Sequence, residues 1–169
     1  MQQKTVIIGY SGSGKSTLAQ ELGRRYQCEV LYMDRVHWLF GWKERDDEEK
    51  KKIVSEFMDR HDCWVIDGNY KSLDCERRMS EATQIIFLNF PVLICLYRAL
   101  KRWTKYRGKS RESMTEGCNE KIDIEFLWWI LHEGRDKSHR AWYQKICEDY
   151  GDKVIVLKRP KEVRRLLRS

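Results

Sequence analysis

Glycine, lysine and serine stand near the start of the chain at spacings that suit the binding of a polyphosphate. The pattern GxxxxGK(S/T) is matched by Gly9-Tyr10-Ser11-Gly12-Ser13-Gly14-Lys15-Ser16. Glycines let the backbone approach phosphate oxygens closely and turn N–H groups toward them. The lysine can lie on the β- and γ-phosphates, and the serine hydroxyl can ligate Mg²⁺. The residues predicted to bind ATP phosphates are Gly9, Ser11, Gly12, Ser13, Gly14, Lys15, Ser16 and Thr17.

The flanking segments give this loop the context that its pattern requires. The β-branched run 4–8 predicts a buried strand before the loop. Leu18, Leu22 and Tyr26 follow at i, i+4 and i+8 and predict a helix that begins near Lys15. A helix N-terminus offers free N–H groups and a favourable dipole to an anion. The alternative is a glycine-rich turn that binds no ligand, and the agreement of motif and context favours the phosphate site.

Strand and helix patterns alternate along the rest of the chain. Strands are predicted at 4–8, 29–33, 64–66, 85–88 and 154–157. Helices are predicted at about 15–26, 44–61, 73–81, 92–106, 122–132, 137–150 and 161–168. This alternation predicts an α/β fold with a mostly parallel sheet and helices on both faces. The length of 169 residues fits one compact domain, and we expect a single domain over residues 1–169.

Two aspartates directly follow predicted strands. Asp67 comes after the strand 64–66, and Asp34 comes after the strand 29–33. Ligands of open parallel sheets bind beyond the carboxyl ends of the strands, so both side chains are expected beside the phosphate loop. We predict that Asp67 joins Ser16 in holding Mg²⁺ and that Asp34 holds or deprotonates a hydroxyl of a phosphate acceptor. Helix-capping or turn roles are the alternatives, and the two roles could be exchanged.

A basic segment lacks any acidic residue. Its cations are Arg98, Lys101, Arg102, Lys105, Arg107, Lys109 and Arg111. Phosphoryl transfer needs cations around the moving group, and a lid can supply them while it excludes water. We predict that Arg98 and Arg102, on one helical face, and Arg107, in a lid at about 107–120, act in catalysis. Arg102 and Arg159 are also predicted to contact the nucleotide, and a solvated basic face is the alternative.

Two further stretches are weaker candidates. The aromatic-rich segment 37–42 lies in a predicted loop beyond Asp34, where a pocket for the acceptor could form. Arg135 and Arg140 flank a polar connection and could supply another cation to the phosphates. The tryptophan pair at 128–129 is predicted to be partly core.

Composition limits the partners and the compartment. The net charge of +7 indicates a polyanionic partner, and either nucleotide phosphates or nucleic acid would qualify. The six cysteines form no CxxC pair, so we expect reduced thiols in the cytoplasm and no metal site built from cysteine and histidine. No apolar run approaches the roughly 20 residues of a membrane span, and no secretory signal is expected. A monomer or weak homodimer is expected.

Several stretches together resemble the bacterial DNA topology modulation proteins of the FlaR type, which are adenylate-kinase-like small P-loop kinases. The resemblance rests on 9–17, 34–38 with 41–42, 64–70, 85–88, 96–102, 105–109 and 154–158. It implies a fold of the nucleoside-monophosphate-kinase type, with a five-stranded parallel sheet and a lid between the last two strands. It also implies that Asp67-Gly68 corresponds to the Asp-Gly that ends the third strand of adenylate kinases, and that Arg98 and Arg102 correspond to the arginines that open their lid helix.

The chain departs from adenylate kinases where those enzymes bind AMP. Asn69-Tyr70-Lys71 stands in place of Phe-Pro-Arg, the Thr-Gly-Asp segment is missing, and Asn89 stands where an aspartate is common. The predicted function is therefore transfer of the γ-phosphoryl of MgATP to a small acceptor whose identity is open. The alternatives are an ATP-dependent DNA-binding or regulatory protein that uses the basic segment and a nucleotide-binding module with slow hydrolysis. The absence of a helix-turn-helix or zinc-finger signature favours the kinase.

Overall fold

The computed structural model describes residues 3–108, 110–119 and 122–168. The strands in these ranges are β1 Lys4–Gly9, β2 Glu29–Tyr32, β3 Trp38–Leu39, β4 Lys43–Glu44, β5 Trp64–Asp67, β6 Gln84–Leu88 and β7 Val154–Leu157. The α-helices are α1 Lys15–Tyr26, α2 Met33–His37, α3 Asp47–Arg60, α4 Cys75–Glu81, α5 Val92–Tyr106, α6 Ile124–Leu131, α7 Lys137–Asp149 and α8 Pro160–Leu166. Among the described residues, no helix is both long enough and apolar enough to cross a membrane.

Five of the strands form one parallel sheet in the order β2-β5-β1-β6-β7. β1 lies at the centre and pairs with β5 on one side and β6 on the other. The phosphate loop therefore leaves the middle of the sheet, and Asp67 ends the neighbouring strand in register with Ile7. The predicted α/β fold with a five-stranded parallel sheet is confirmed.

The three central strands are buried along almost their whole length. Every residue of Trp64–Asp67 and of Ile85–Leu88 is buried. Successive side chains of a strand point to opposite faces. Unbroken burial therefore means that helices cover both faces of the sheet, as is usual for parallel sheets.

The region between β2 and α3 differs from its prediction. Residues 37–42 were predicted to form a loop, but α2 ends at His37 and an antiparallel hairpin of β3 and β4 follows. The predicted helix 44–61 begins only at Asp47, because the Asp46 carboxylate accepts hydrogen bonds from the N–H groups of Glu48 and Glu49 and caps α3. The hairpin strands contain two residues each, which is too short for alternation to reveal them.

The expectation of six free thiols is corrected at one pair. The structure joins Cys28 and Cys63, whose Cα atoms lie 5.2 Å apart, a separation that a disulfide spans. The two residues immediately precede β2 and β5, which pair from Glu29 and Trp64 onward. The parallel register thus brings together cysteines that are 35 residues apart, at the end of the sheet opposite the phosphate loop.

A fully buried arginine holds the segment that follows β5. Arg78 on α4 is 0% exposed, and its guanidinium donates to the carbonyl oxygens of Leu73, Gly68 and Tyr70. Burial lowers the pKa of Arg78 from its ordinary value. Three backbone acceptors on one short segment therefore depend on a single side chain.

We predict that Arg78→Met lowers the free energy of unfolding by about 3 kcal/mol, because it removes a charged donor and leaves buried carbonyls unpaired. Urea denaturation measures this change. Arg60→Met at the exposed end of α3 is the matched control and should alter stability by less than about 0.5 kcal/mol. Equal stabilities of the two variants would contradict the role given to Arg78.

Candidate functional site

The phosphate loop joins β1 to α1 in a conformation that depends on its glycines. Gly12 and Gly14 have φ angles of +79° and +94°, in the left-handed region that glycine tolerates best. A Cβ on Gly12 would lie 2.4 Å from the carbonyl oxygen of Cys95, and one on Gly14 would lie 2.3 Å from the guanidinium of Arg98. Conformation and a close backbone contact with α5 both call for glycine at position 12, whereas at position 14 the conformation calls for it.

The loop lysine is folded back on the backbone that precedes it. The Nζ atom of Lys15 donates to the carbonyl oxygen of Gly9 at 3.0 Å and lies 3.4 Å from that of Tyr10. It is also close enough to Asp67 to stabilise the charged form of that carboxylate. The loop lysine therefore places its positive charge at this edge of the sheet, next to Asp67.

Asp67 is buried at the carboxyl end of β5. Burial raises the pKa of its carboxyl to about 6, while the nearby Lys15 charge and a hydrogen bond from Ser16 act in the opposite direction. One carboxylate oxygen, Oδ1, is buried and has no hydrogen-bond partner among the described residues. The phosphate loop and the end of β5 thus place the Ser16 hydroxyl beside the Asp67 carboxylate, whose Oδ1 can accept a further hydrogen bond.

This pair fits a magnesium ion bound together with phosphates. In nucleotide sites Mg²⁺ is held by phosphate oxygens, waters and one or two carboxylates. Ser16 and Asp67 supply the hydroxyl and the carboxylate, and the unpartnered Oδ1 can accept from a metal-bound water. In the described part of the chain, no group of three or more His, Cys, Asp and Glu side chains could hold an ion. The site therefore fits a metal whose other ligands come from phosphates and water.

The second predicted aspartate lies near the first. Asp34, on α2, is close enough to Asp67 to raise the pKa of that carboxyl further. The hydroxyl of Tyr70 donates to Asp34 Oδ1 at 2.7 Å. Burial and the Asp34 charge both raise the pKa of Tyr70, so Tyr70 stays protonated and remains a donor. The structure thus places both predicted aspartates at the carboxyl edge of the sheet.

An aromatic surface adjoins Asp34. The His37 ring lies 4.5 Å from the Trp38 ring and 5.0 Å from the Tyr70 ring, measured between centroids. Burial lowers the pKa of His37, which favours its neutral form. The segment 110–119 packs over the hairpin, where the Cys118 thiol donates to the Leu39 carbonyl at 3.2 Å. The predicted lid segment and the predicted acceptor region are therefore in contact.

A cleft opens beside the phosphate loop, between α5 and α8. Its cavity volume is about 220 Å³. Gly14 and Thr17 of the loop, Arg98 of α5, and Pro160 and Arg164 of α8 contribute to its lining. Arg98 is thus the predicted lid-helix arginine that lies at the phosphate loop.

The other predicted arginines lie outside this lining. Arg102 has its guanidinium 5.7 Å from the centroid of the Phe126 ring, and Arg107 lies 5.2 Å from the centroid of the Trp103 ring. Arg159 is exposed just before α8, while Pro160, its neighbour, faces the cleft. The structure does not bring these three side chains to the cleft with Arg98.

Three contacts to the loop come from residues that the sequence did not mark or marked weakly. Trp129 Nε1 lies 3.2 Å from Ser11 Oγ, and the Arg135 guanidinium lies 3.7 Å from the centroid of the Tyr10 ring. The Asn69 side-chain amide accepts from the backbone N–H of Gly9 and donates to its carbonyl oxygen. The pattern predicted that Trp129 is partly core. Only the position of Asn69, directly after Asp67-Gly68, could have signalled its contact.

Comparison with known sequences gives one distant relative. No model of a protein family matches this chain. The uncharacterised protein YqaC of Bacillus subtilis (strain 168) is 24% identical over 159 residues, which cover 92% of this chain and 88% of that protein. This identity is too low to assign a family.

Comparison with solved structures identifies the fold. Shikimate kinase from Acinetobacter baumannii, in complex with shikimate, matches with a TM-score of 0.59 at 15% identity, covering 99% of this chain and 90% of that one. Deoxyadenosine kinase from M. mycoides, with the products dCMP and dCDP, matches with a TM-score of 0.57 at 14% identity, covering 98% and 95%. The same enzyme with bound dATP matches at 0.54 and 16%, covering 98% and 97%. The chain has the fold of small P-loop kinases.

The resemblance to the FlaR-type topology modulation proteins is supported only at the level of the fold. None of the proteins named above is a topology modulation protein. The part of the resemblance that concerns the P-loop kinase fold is confirmed, and the finer family name gains no support.

The raised pKa of Asp67 predicts a pH-dependent stability. Its folded-state value of about 6 exceeds the ordinary 3.8, so the folded protein binds this proton more tightly than the unfolded chain. Stability attributable to this group therefore falls as pH rises from about 4 to 6. We expect Asp67→Asn to be about 3 kcal/mol more stable than the wild type above pH 6 and nearly equal to it at pH 4.

Urea denaturation between pH 4 and 8 measures this difference. Asp62→Asn, at an exposed position before β5, is the control and should change stability by less than about 0.5 kcal/mol at each pH. A difference between Asp67→Asn and wild type that does not vary with pH would contradict the assignment.

Proposed function

We propose that this chain is a small P-loop phosphotransferase that moves the γ-phosphoryl group of MgATP to a hydroxyl of a small acceptor. In this proposal residues 1–169 act as one domain, and the segment 107–120 is the lid. The observation that carries the proposal is the buried Asp67 carboxylate, which lies beside Lys15 and Ser16 and close to Asp34. A phosphate loop alone would support only nucleotide binding, whereas two adjacent carboxylates support transfer.

The donor side is supported by the loop and the start of α1. Backbone N–H groups from Gly12 to Ser16 would receive the phosphates, and the α1 dipole would favour their charge. Lys15 would exchange its carbonyl contacts for the β- and γ-phosphates. Ser16 would be the protein ligand of a bound Mg²⁺, Asp67 would accept from a water bound to the ion, and the ion would neutralise charge on the phosphate oxygens.

The acceptor side is supported by Asp34 and its tyrosine partner. A carboxylate within reach of a substrate hydroxyl can orient it and accept its proton as the bond to phosphorus forms. The Tyr70 hydroxyl fixes one oxygen of Asp34 and leaves the other for the substrate. The aromatic rings of His37 and Trp38 would then form one wall of the acceptor pocket.

The cleft between α5 and α8 suits the base of the nucleotide. It adjoins Gly14 and Thr17 of the loop, and Arg98 supplies positive charge at its edge. Arg102 and Arg107 lie farther along the same basic segment. A movement of the lid would bring their positive charges to the phosphoryl group in transfer. Arg159, which directly precedes the cleft residue Pro160, would contact the nucleotide.

The structural neighbours define a range of acceptors to test. One of the kinases holds shikimate, and the other holds dATP in one structure and dCMP with dCDP in another. We therefore propose nucleosides, nucleoside monophosphates and small hydroxy acids as the first acceptors to examine.

We predict that Lys15→Ala weakens MgATP binding at least about 100-fold, because the phosphates lose their side-chain cation in a partly buried site. Isothermal titration calorimetry measures the dissociation constant. Lys51→Ala on the exposed face of α3 is the matched control and should bind like the wild type. Unchanged binding by Lys15→Ala would overturn the proposed donor site.

We predict that Asp34→Asn binds MgATP within about threefold of the wild type but loses at least about 100-fold of its acceptor-dependent turnover. A coupled ADP-release assay over the acceptors named above measures turnover against the water background. Full acceptor-dependent activity in Asp34→Asn would contradict the role of Asp34.

The same screen of acceptors, combined with a DNA-binding assay, distinguishes the transferase from the DNA-binding alternative. If no acceptor raises turnover above the water background and duplex DNA binds with a steep salt dependence at physiological salt, the transferase proposal is wrong.

A further inference from the structure

The Asn69 side chain attaches the phosphate loop to the strand beside it. Its Oδ1 accepts from the N–H of Gly9 at 3.0 Å, and its Nδ2 donates to the carbonyl oxygen of Gly9 at 2.9 Å. The same Nδ2 donates to the hydroxyl of Tyr143 on α7 at 2.9 Å. All three bonds are at ordinary lengths and at least partly buried.

The amide continues the β1–β5 ladder by one rung. Backbone pairing between these strands ends at Ile7 and Asp67, and the Gly68 N–H makes a last bond to the Ile7 carbonyl. Beyond that point the chain turns away, with Gly68 at a φ of +142°. Asn69 then offers an amide acceptor and donor to Gly9, as a backbone peptide would. The first residue of the phosphate loop is thereby held in the sheet.

The bond to the Gly9 carbonyl also bears on the lysine. That oxygen accepts from both Asn69 Nδ2 and Lys15 Nζ. A buried carbonyl that loses its only donor is costly, by about 1–3 kcal/mol. Because Asn69 remains bonded, Lys15 can leave this carbonyl for a phosphate without stranding it.

We propose that Asn69 is a positioning residue of the phosphate loop, which fixes the Gly9 peptide and releases Lys15 for the nucleotide. This inference rests on the proposed use of the loop for MgATP. The buried Tyr143 hydroxyl accepts from Nδ2 and so orients the Asn69 amide, and the Tyr143 ring stacks on Phe87 at 4.4 Å. Burial raises the pKa of Tyr143, so the hydroxyl stays neutral beside the amide.

The test compares nucleotide affinity with stability. We expect Asn69→Ala to raise the dissociation constant of MgATP about tenfold, equivalent to about 1.4 kcal/mol. The dissociation constant of magnesium tripolyphosphate should rise by the same factor, because the loop and not the base cleft is affected. Calorimetric titration well below the melting temperature of each variant separates this loss from any loss of folded protein. Tyr143→Phe, which keeps both bonds to Gly9, should raise the constant less than threefold.

Gln144→Ala, on the exposed side of α7 next to Tyr143, is the control and should bind like the wild type. If Asn69→Ala lowers the melting temperature but binds MgATP within twofold of the wild type, the residue serves only stability and the proposal is overturned. If the wild type itself does not bind MgATP, the proposed function fails instead.

Amide hydrogen exchange of the wild type gives a result even if Asn69→Ala does not fold. The proposal requires that the Gly9 amide is protected in the nucleotide-free protein, at least about 100-fold more than the amide of Gly41 in the hairpin turn. Equal exchange rates at Gly9 and Gly41 would overturn it.

Discussion

The burial of one carboxylate at the end of β5 sets the conditions for the rest of the site. Asp67 lies where desolvation opposes its charge, and Lys15 and Ser16 only partly offset that effect. Lys15 also contacts the carbonyl oxygens of Gly9 and Tyr10, so its positive charge interacts with these oxygens as well as with Asp67. If Lys15 moves toward bound phosphates, Asp67 loses part of the positive charge that offsets its desolvation. A divalent cation would supply positive charge in its place. Polyphosphate and metal should therefore bind more tightly together than separately, through the electrostatics of a single buried group.

Strand order explains why that group meets the loop. β1 is central, and parallel pairing brings the ends of β5 and β2 to the same edge as the loop that leaves β1. The sequence was sufficient to predict this much, because buried strands, a glycine loop and aspartates after strands are local patterns. These predictions needed no knowledge of how side chains pack.

The remaining contacts depend on packing between segments that are distant in sequence. Trp129 reaches Ser11 across 118 residues, and Asn69 reaches Gly9 across 60. The pairing of Cys28 with Cys63 follows from strand register, which the spacing of cysteines does not encode. Arg102 looked equivalent to Arg98 from helical spacing, yet its guanidinium lies over Phe126 of α6. Which face of α5 meets the loop and which meets α6 is decided by tertiary contact.

The four residues from Asp67 to Tyr70 connect the two halves of the site. Asp67 lies beside the loop lysine, Asn69 holds the first loop peptide, and Tyr70 bonds Asp34 on the opposite side. Their relative positions are fixed by carbonyl bonds to the buried Arg78, which has no freedom to move without breaking them. A displacement of this segment would therefore disturb Asp67, the phosphate loop and Asp34 at once, which are the groups proposed to hold the metal, the donor and the acceptor. Rigid coupling of that kind suits a transfer reaction, because donor and acceptor must be aligned within a few tenths of an ångström of the reactive geometry.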